Sequence, residues 1–333
     1  LQAYYSEEGL NYNLGRIHIN SCDFALGSYS FDDVKDDWNL DHFDDDVKHD
    51  QEQGTIPMIL KAKEKVESTG KELKLLASPW SPPAWMKTNN EMDHSGNPGL
   101  KESCRDVWAK YIARWVTAYK NQGIPIWAMT VQNEPMANSN WEACLQPAEW
   151  QAEFIANFLG PTMKSAHPEV GIFAFDHNKG QVEWYGSTVS RNSQAASYLA
   201  GIAFHWYGGD RFENVLKLHK EFPQYIMLPS EATYEKYRMP PYLQGSLGNN
   251  GNVPFGLGYA HDILGDLNAG GVGWIDWNII LDTTGGPNHV GNTCDAAIIG
   301  DPRSQQIWKH PQYYYIGHFS KFLLPGTKIA KTT

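Results

Sequence analysis

Short apolar runs alternate with helical patterns along this chain, and that alternation constrains its fold more than any other feature. The runs cover 14–19, 73–77, 126–131, 170–175, 202–204, 225–228 and 272–275. They are nearly continuous in apolar residues, as strands buried on both faces are. Between the second and third runs, Trp108, Tyr111, Ile112, Trp115 and Tyr119 recur at helical spacing until Gln122-Gly123. Between the third and fourth, Pro147 leads into Trp150, Phe154, Ile155, Phe158 and Leu159, and Gly160-Pro161 reads as the stop. Strand-helix-strand units repeated in this way predict an α/β fold with a parallel sheet, a (β/α)8 TIM barrel. Residues 245–258, rich in Gly, Asn and Pro, read as a long loop on the active face.

Composition narrows the class. Hydrophobic residues make up 41% of 333, enough for a sizeable core. The net charge of −11, with no Lys/Arg stripe, would repel a phosphate backbone, so no nucleic-acid partner is expected. Residues 23–53 carry eleven acidic side chains against Lys35 and Lys48. The Asp-rich part, 32–50, lacks the glycine and terminal glutamate of a calcium loop and reads as a solvated surface loop. No uninterrupted apolar stretch reaches the ~18 residues of a transmembrane helix. Cys22, Cys104, Cys144 and Cys294 form no CxxC and allow three pairings or none. The first nine residues look like a helix end running into Gly9, not a signal peptide, so the chain is expected to begin mid-protein.

The polar residues that could do chemistry sit at the carboxyl ends of the apolar runs, where a barrel builds its site. The third run ends in Gln132-Asn133-Glu134-Pro135 and the sixth in Pro229-Ser230-Glu231. Two carboxylates on one rim suit glycoside hydrolysis: one protonates the leaving oxygen, the other attacks or activates water. Either glutamate alone has a plainer reading as a loop residue or salt-bridge partner. Other run ends repeat the pattern: Ser21-Cys22-Asp23-Phe24, Ser78-Pro79-Trp80, Asp176-His177, His205-Trp206-Tyr207 and Trp274-Ile275-Asp276-Trp277-Asn278. Aromatics at such ends can stack on sugar rings, although most, including Trp108, Trp115 and Trp150, read as packing. There is no HExxH, GxxxxGK[ST] or GxSxG, and Gly256-Leu257-Gly258 lacks the third glycine of a dinucleotide loop. No cofactor is expected. His205 has no second ligand at metal spacing and reads as a hydrogen-bonding histidine.

With Tyr5-Ser6-Glu7-Glu8-Gly9, Ser78-Pro79-Trp80, Asn133-Glu134-Pro135, His205-Trp206-Tyr207, Ser230-Glu231-Ala232, Gly285-Gly286-Pro287-Asn288 and His318-Phe319-Ser320-Lys321-Phe322 in one order, the chain resembles glycoside hydrolase family 30, in its glucosylceramidase branch. The resemblance implies a catalytic barrel over 1–318, its first strand outside this chain, and the beginning of an accessory β-sandwich over 319–333. It implies Glu134 as acid/base and Glu231 as nucleophile of a double displacement, with the carboxyls about 5–5.5 Å apart. Repulsion from an ionised Glu231 would then favour protonated Glu134 at the start. Asn133 resembles the residue that binds the sugar 2-hydroxyl, and Tyr207 the one that orients the nucleophile. Asp23, Phe24, Trp80, His205, Trp277 and Asn292 match substrate-binding positions.

The activity this implies is a retaining β-glucosidase of glucosylceramidase type acting on a glycolipid or oligosaccharide, secreted or lysosomal, without metal or cofactor. A β-1,6-glucanase or another endo-acting family 30 hydrolase is the alternative, and a silent carbohydrate-binding protein is the alternative of another class. The loop 136–144 is shorter than in the animal enzymes, and Thr233 stands where they have Cys, so the lipid aglycone is not implied by the match.

Overall fold

The computed structural model describes residues 1–235 and 253–328. Six strands form one parallel sheet in sequence order: β1 (Leu14–Ile19), β2 (Lys74–Pro79), β3 (Ala128–Thr130), β4 (Gly171–Asn178), β5 (Leu199–His205) and β6 (Ile226–Glu231). Helices cross between them: α1 (Thr55–Glu67), α2 (Arg105–Asn121), α3 (Ala148–Phe154) with α4 (Gly160–Ala166), α5 (Val182–Arg191) and α6 (Phe212–Glu221). Every strand is parallel to its neighbour and every connection carries a helix, so all carboxyl ends share one rim. Side chains alternate across the sheet. On β2, Leu75 and Ala77 pack outward against the helices, whereas Leu76 faces inward with Ala128, Phe173, Ala203, Leu228 and Ile275. That inner layer fills the barrel axis as packed core.

The six strands close only half a barrel. The seventh run, 272–275, is no regular strand: Val272 and Ile275 donate to the carbonyls of Met227 and Pro229, at 3.1 and 3.0 Å, along β6 only. Its other edge faces β1 across an apolar cavity of about 850 Å³ lined by Leu14, Ile17, Val272 and Ile275 among others. Bonded on one side only, the segment lacks the second partner that would hold a full ladder.

Three other expectations change. Gly160-Pro161 does not stop the helix: a π turn, Ile155–Leu159, carries α3 into α4, and Pro161 occupies the first turn of α4, where a missing N–H is harmless. Of the 245–258 loop, 245–252 lies outside the described residues, but α7 (Val253–Asn268) begins at Val253. Gly256 and Gly258 there let Tyr315 and Tyr234 approach the helix backbone. The acidic stretch is not wholly solvated, since Asp32, Asp37 and Asp50 are buried. Asp50 accepts hydrogen bonds from Tyr29 and Tyr119, which ties the stretch to α2.

A small separate sheet follows: β7 (Leu281–Asp282), β8 (Ile298–Asp301) and β9 (Gln306–Lys309). It leads into α8 (Pro311–Ser320), which packs on α7. Of the segment expected to open a sandwich, 319–320 end α8, 321–328 hold no strand, and 329–333 lie outside the described residues. No helix among the described residues is long and apolar enough to cross a membrane.

Candidate active site

β3 ends at Thr130, and the chain then turns across the mouth of the sheet. Gln132, fully buried, donates to the Trp80 carbonyl, Asn133 N–H donates to the Pro79 carbonyl and Glu134 N–H to that of Asp176, so the two neighbouring strands, β2 and β4, fix this turn. Glu134 takes a left-handed backbone, φ 46°, uncommon for a non-glycine residue. Glu231 ends β6, where its carbonyl accepts from Trp206 N–H. Both carboxylates line a cavity of about 220 Å³ at the mouth.

One imidazole lies between them: His205 Nδ1 is 3.3 Å from Glu134 Oε1 and 3.8 Å from Glu231 Oε1. Tyr207 donates to Glu231 Oε1 at 2.9 Å and Arg16 to Oε2 at 2.6 Å, which fixes the carboxylate plane. Arg16 also donates to Asn133 and Asp176, and its guanidinium lies 4.6 Å over the Trp80 ring. Trp80 stacks on Trp277 at 5.3 Å. Across the cavity Asn292 donates to Asp23 at 2.8 Å.

Eight of the sequence-derived positions therefore line one cavity. The other two lie one layer back. His205 is fully buried beneath the glutamates, and Phe24 packs edge-on against Trp277 beside the small sheet. Arg16 was not singled out from the sequence, although a signal exists: in the run 14–19 it shares the inward face with Leu14, and a cation there needs anionic partners. Asp176 and His177 stood out only as a strand end. Among the described residues, Glu91, Asp93 and His94 could converge on a metal ion, but none of them lines the cavity.

The electrostatics reverse one expectation. Burial alone would raise the Glu134 pKa, but His177 and His205 outweigh it and hold the carboxyl well below its usual range. Burial would lower the His205 pKa, yet Glu231, Asp176 and Glu134 together raise it to about 9. Asp23 is pushed up to about 8 by burial, against its bond from Asn292 and with help from the charges of Glu231 and Glu134. Burial likewise pushes the Tyr207 phenol up, which keeps it a donor to Glu231.

Residues 1–323 match the glycosyl hydrolase family 30 TIM-barrel domain. The chain belongs to that family. It is 32% identical to the lysosomal acid glucosylceramidase of Mus musculus, over 98% of this chain and 64% of that protein. Among solved structures, this family 30 chain resembles SrfJ from Salmonella typhimurium, with a TM-score of 0.87 and 34% identity over 96% of the chain and 68% of that one. It also resembles the endo-β1,6-glucanase BT3312, with a TM-score of 0.84 and 28% identity over 98% and 70%. The chain spans 62% to 64% of the length of the curated glucosylceramidase relatives it matches.

Proposed function

We propose that this family 30 chain forms the catalytic part of a retaining β-glycosidase that hydrolyses β-glucosidic bonds, of glucosylceramidase or β-glucosidase type. The observation that carries this reading is the approach of Glu134 and Glu231, from opposite parts of the rim, to one imidazole nitrogen. Their nearest oxygens are separated by less than the sum of 3.3 and 3.8 Å, a bound that accommodates the roughly 5–5.5 Å spacing of a retaining pair.

Glu231, its plane fixed by Arg16 and Tyr207, attacks the anomeric carbon as Glu134 protonates the leaving oxygen. The glycosyl ester then forms, and Glu134 takes a proton from the water that displaces Glu231. Asn133 faces the sugar 2-hydroxyl, while Asp23, Asn292, Trp80 and Trp277 hold the rest of the ring. A secreted or lysosomal location follows the named lysosomal relative.

A β-1,6-glucanase is the second reading. Two relatives and one solved structure bear that name, and Trp141 lines the cavity with an aromatic face of the kind that stacks on a sugar ring.

Azide rescue with aryl β-glucosides tests the roles. In Glu134→Ala of the full-length protein, a good leaving group should still glycosylate Glu231, and azide should release the β-glucosyl azide. In Glu231→Ala, azide should attack from the opposite face and give the α-azide. The same anomer from both variants would overturn the assignment, and so would absence of any rescue in Glu134→Ala. Glucosylceramide against gentio-oligosaccharides then decides the aglycone.

A further inference from the structure

Asp176 has no role in the chemistry described so far, yet the fold goes to unusual lengths to place it. It stands in a register break of β4, between Phe175 and His177, where Phe175 and Asp176 both have left-handed backbones, φ 76° and 66°. Two such non-glycine residues in succession are strained and persist only where the surroundings hold them. The bulge turns the Asp176 carboxylate into the sheet interior, fully buried beneath the glutamates.

Five donors meet it there. Oδ2 accepts from Arg16 at 2.8 Å, Thr130 at 2.6 Å and Ser78 at 3.1 Å. Oδ1 accepts from Ser230 at 2.6 Å and faces His205 Nε2 at 3.0 Å. A carboxylate so surrounded is acceptor-only, so the nitrogen facing Oδ1 carries hydrogen. The ring is thereby fixed, and its remaining nitrogen, Nδ1, points at Glu134. His177 Nδ1 also lies 3.4 Å from the same Glu134 oxygen. Among the described residues, Arg16, Tyr207 and Glu231 are the further charged or titratable groups bonded at the pair, and Asp23, Glu235 and Cys294 line the cavity around it.

We infer that Asp176 is a positioning residue that keeps Nε2 of His205 protonated, so that one exchangeable proton is shared between His205 Nδ1 and Glu134 Oε1. This rests on the reading of Glu134 as acid and base. In the free site the proton resides on Nδ1, which agrees with the depressed Glu134 and elevated His205 pKa values. In the first step it passes from Nδ1 through Oε1 to the glycosidic oxygen. The C1–O electron pair leaves with that oxygen as Glu231 bonds to C1, and His205 becomes neutral. In the second step a water proton returns through Glu134 to Nδ1 as the water oxygen bonds to C1 and Glu231 departs. The pair titrates as one unit.

Asp176→Asn in the full-length protein removes the anion while keeping the shape. The alkaline limb of kcat/KM should then fall by about one pH unit or more, because the shared proton is lost more easily. Hydrolysis of an alkyl β-glucoside, which needs the acid, should drop about 100-fold, whereas the burst with 2,4-dinitrophenyl β-glucoside should change less than about fivefold. Equal losses for both leaving groups, or an unmoved alkaline limb, would overturn the inference. Should the variant not fold, 15N-histidine spectra of the wild-type protein decide the matter. Nε2 should stay protonated from pH 5 to 9 while Nδ1 titrates with the alkaline limb, and a deprotonated Nε2 would sink the idea. A glycosyl ester trapped on Glu231 in the wild-type protein checks the underlying reading separately, and its absence there would bring down that reading and this one together.

Discussion

The mouth of the half-barrel and its open flank are built from the same strands on opposite principles. At the mouth, Arg16 and His205 sit among Asp176, Glu134 and Glu231, and buried charge is matched by buried charge. On the flank between β1 and 271–277, Leu14, Ile17, Val272 and Ile275 face a cavity, and the one carboxylate lining it among the described residues, Asp276, has the Tyr259 hydroxyl and a backbone N–H as partners and no ion pair with a described cation. Burial therefore pushes Asp276 up to about 7, whereas at the mouth Arg16 and His205 overcome burial and hold Asp176 well below its usual range. The two regions lend the fold stability of opposite pH dependence.

The largest effect should come where the regions meet, at Arg16, whose guanidinium reaches the mouth while its residue also borders the flank. Arg16→Leu strands the carboxylates of Asp176 and Glu231 without their cation. Denaturant unfolding should show a loss of about 3–5 kcal/mol, and kcat/KM should fall at least ~10³-fold with the loss of a preorganised cation. A variant of near wild-type stability would mean that the charges at the mouth are compensated in another way.

Asn133→Ala touches the mouth alone. Since 2-hydroxyl hydrogen bonds strengthen in the transition state, kcat should drop about 100-fold with KM within about twofold. Steady-state kinetics showing a rise in KM only would remove Asn133 from that role.

The smallest effect isolates the flank. Asp276 has a folded-state pKa above its unfolded value, so its contribution is complete below about pH 4 and is lost as pH rises through about 7. Asp176 has the reverse sign: its contribution is present above about pH 4 and disappears as pH falls. Asp276→Asn should therefore flatten the decline in Tm between pH 5 and 8 by about 2–4 °C, measured by calorimetry, without altering kcat. An unchanged slope would show that the carboxyl is not held neutral.

The fold was legible in the runs because buried parallel strands are apolar on both faces, which marks β1 to β6 plainly. Run 272–275 looks the same in sequence, but ladder pairing depends on a second neighbour, which a run cannot report about itself. Gly160-Pro161 misled for a related reason: a π turn shifts the hydrogen-bond register just ahead of the proline, and no residue type announces it. At the site, Glu134, Glu231 and the aromatic positions stood at run ends and were readable as such. Arg16 was hidden inside a run, and Asp176 depends on a bulge whose left-handed pair consists of ordinary residues, Phe and Asp. Distances between strands decided what those two residues do.

All four cysteines are buried and unpaired. Burial also raises their thiols, that of Cys144 to about 12 despite the nearby Lys87. In the folded molecule they have neither the access nor the thiolate that alkylation requires. Each is thus a built-in timer for local opening. Cys22 and Cys294 lie near the cavity, Cys144 packs its sulfur against Gly99, and Cys104 stands at the start of α2. The order in which they become modified in native buffer would rank the breathing of four separate parts of the structure, with no mutation and no added probe beyond the reagent.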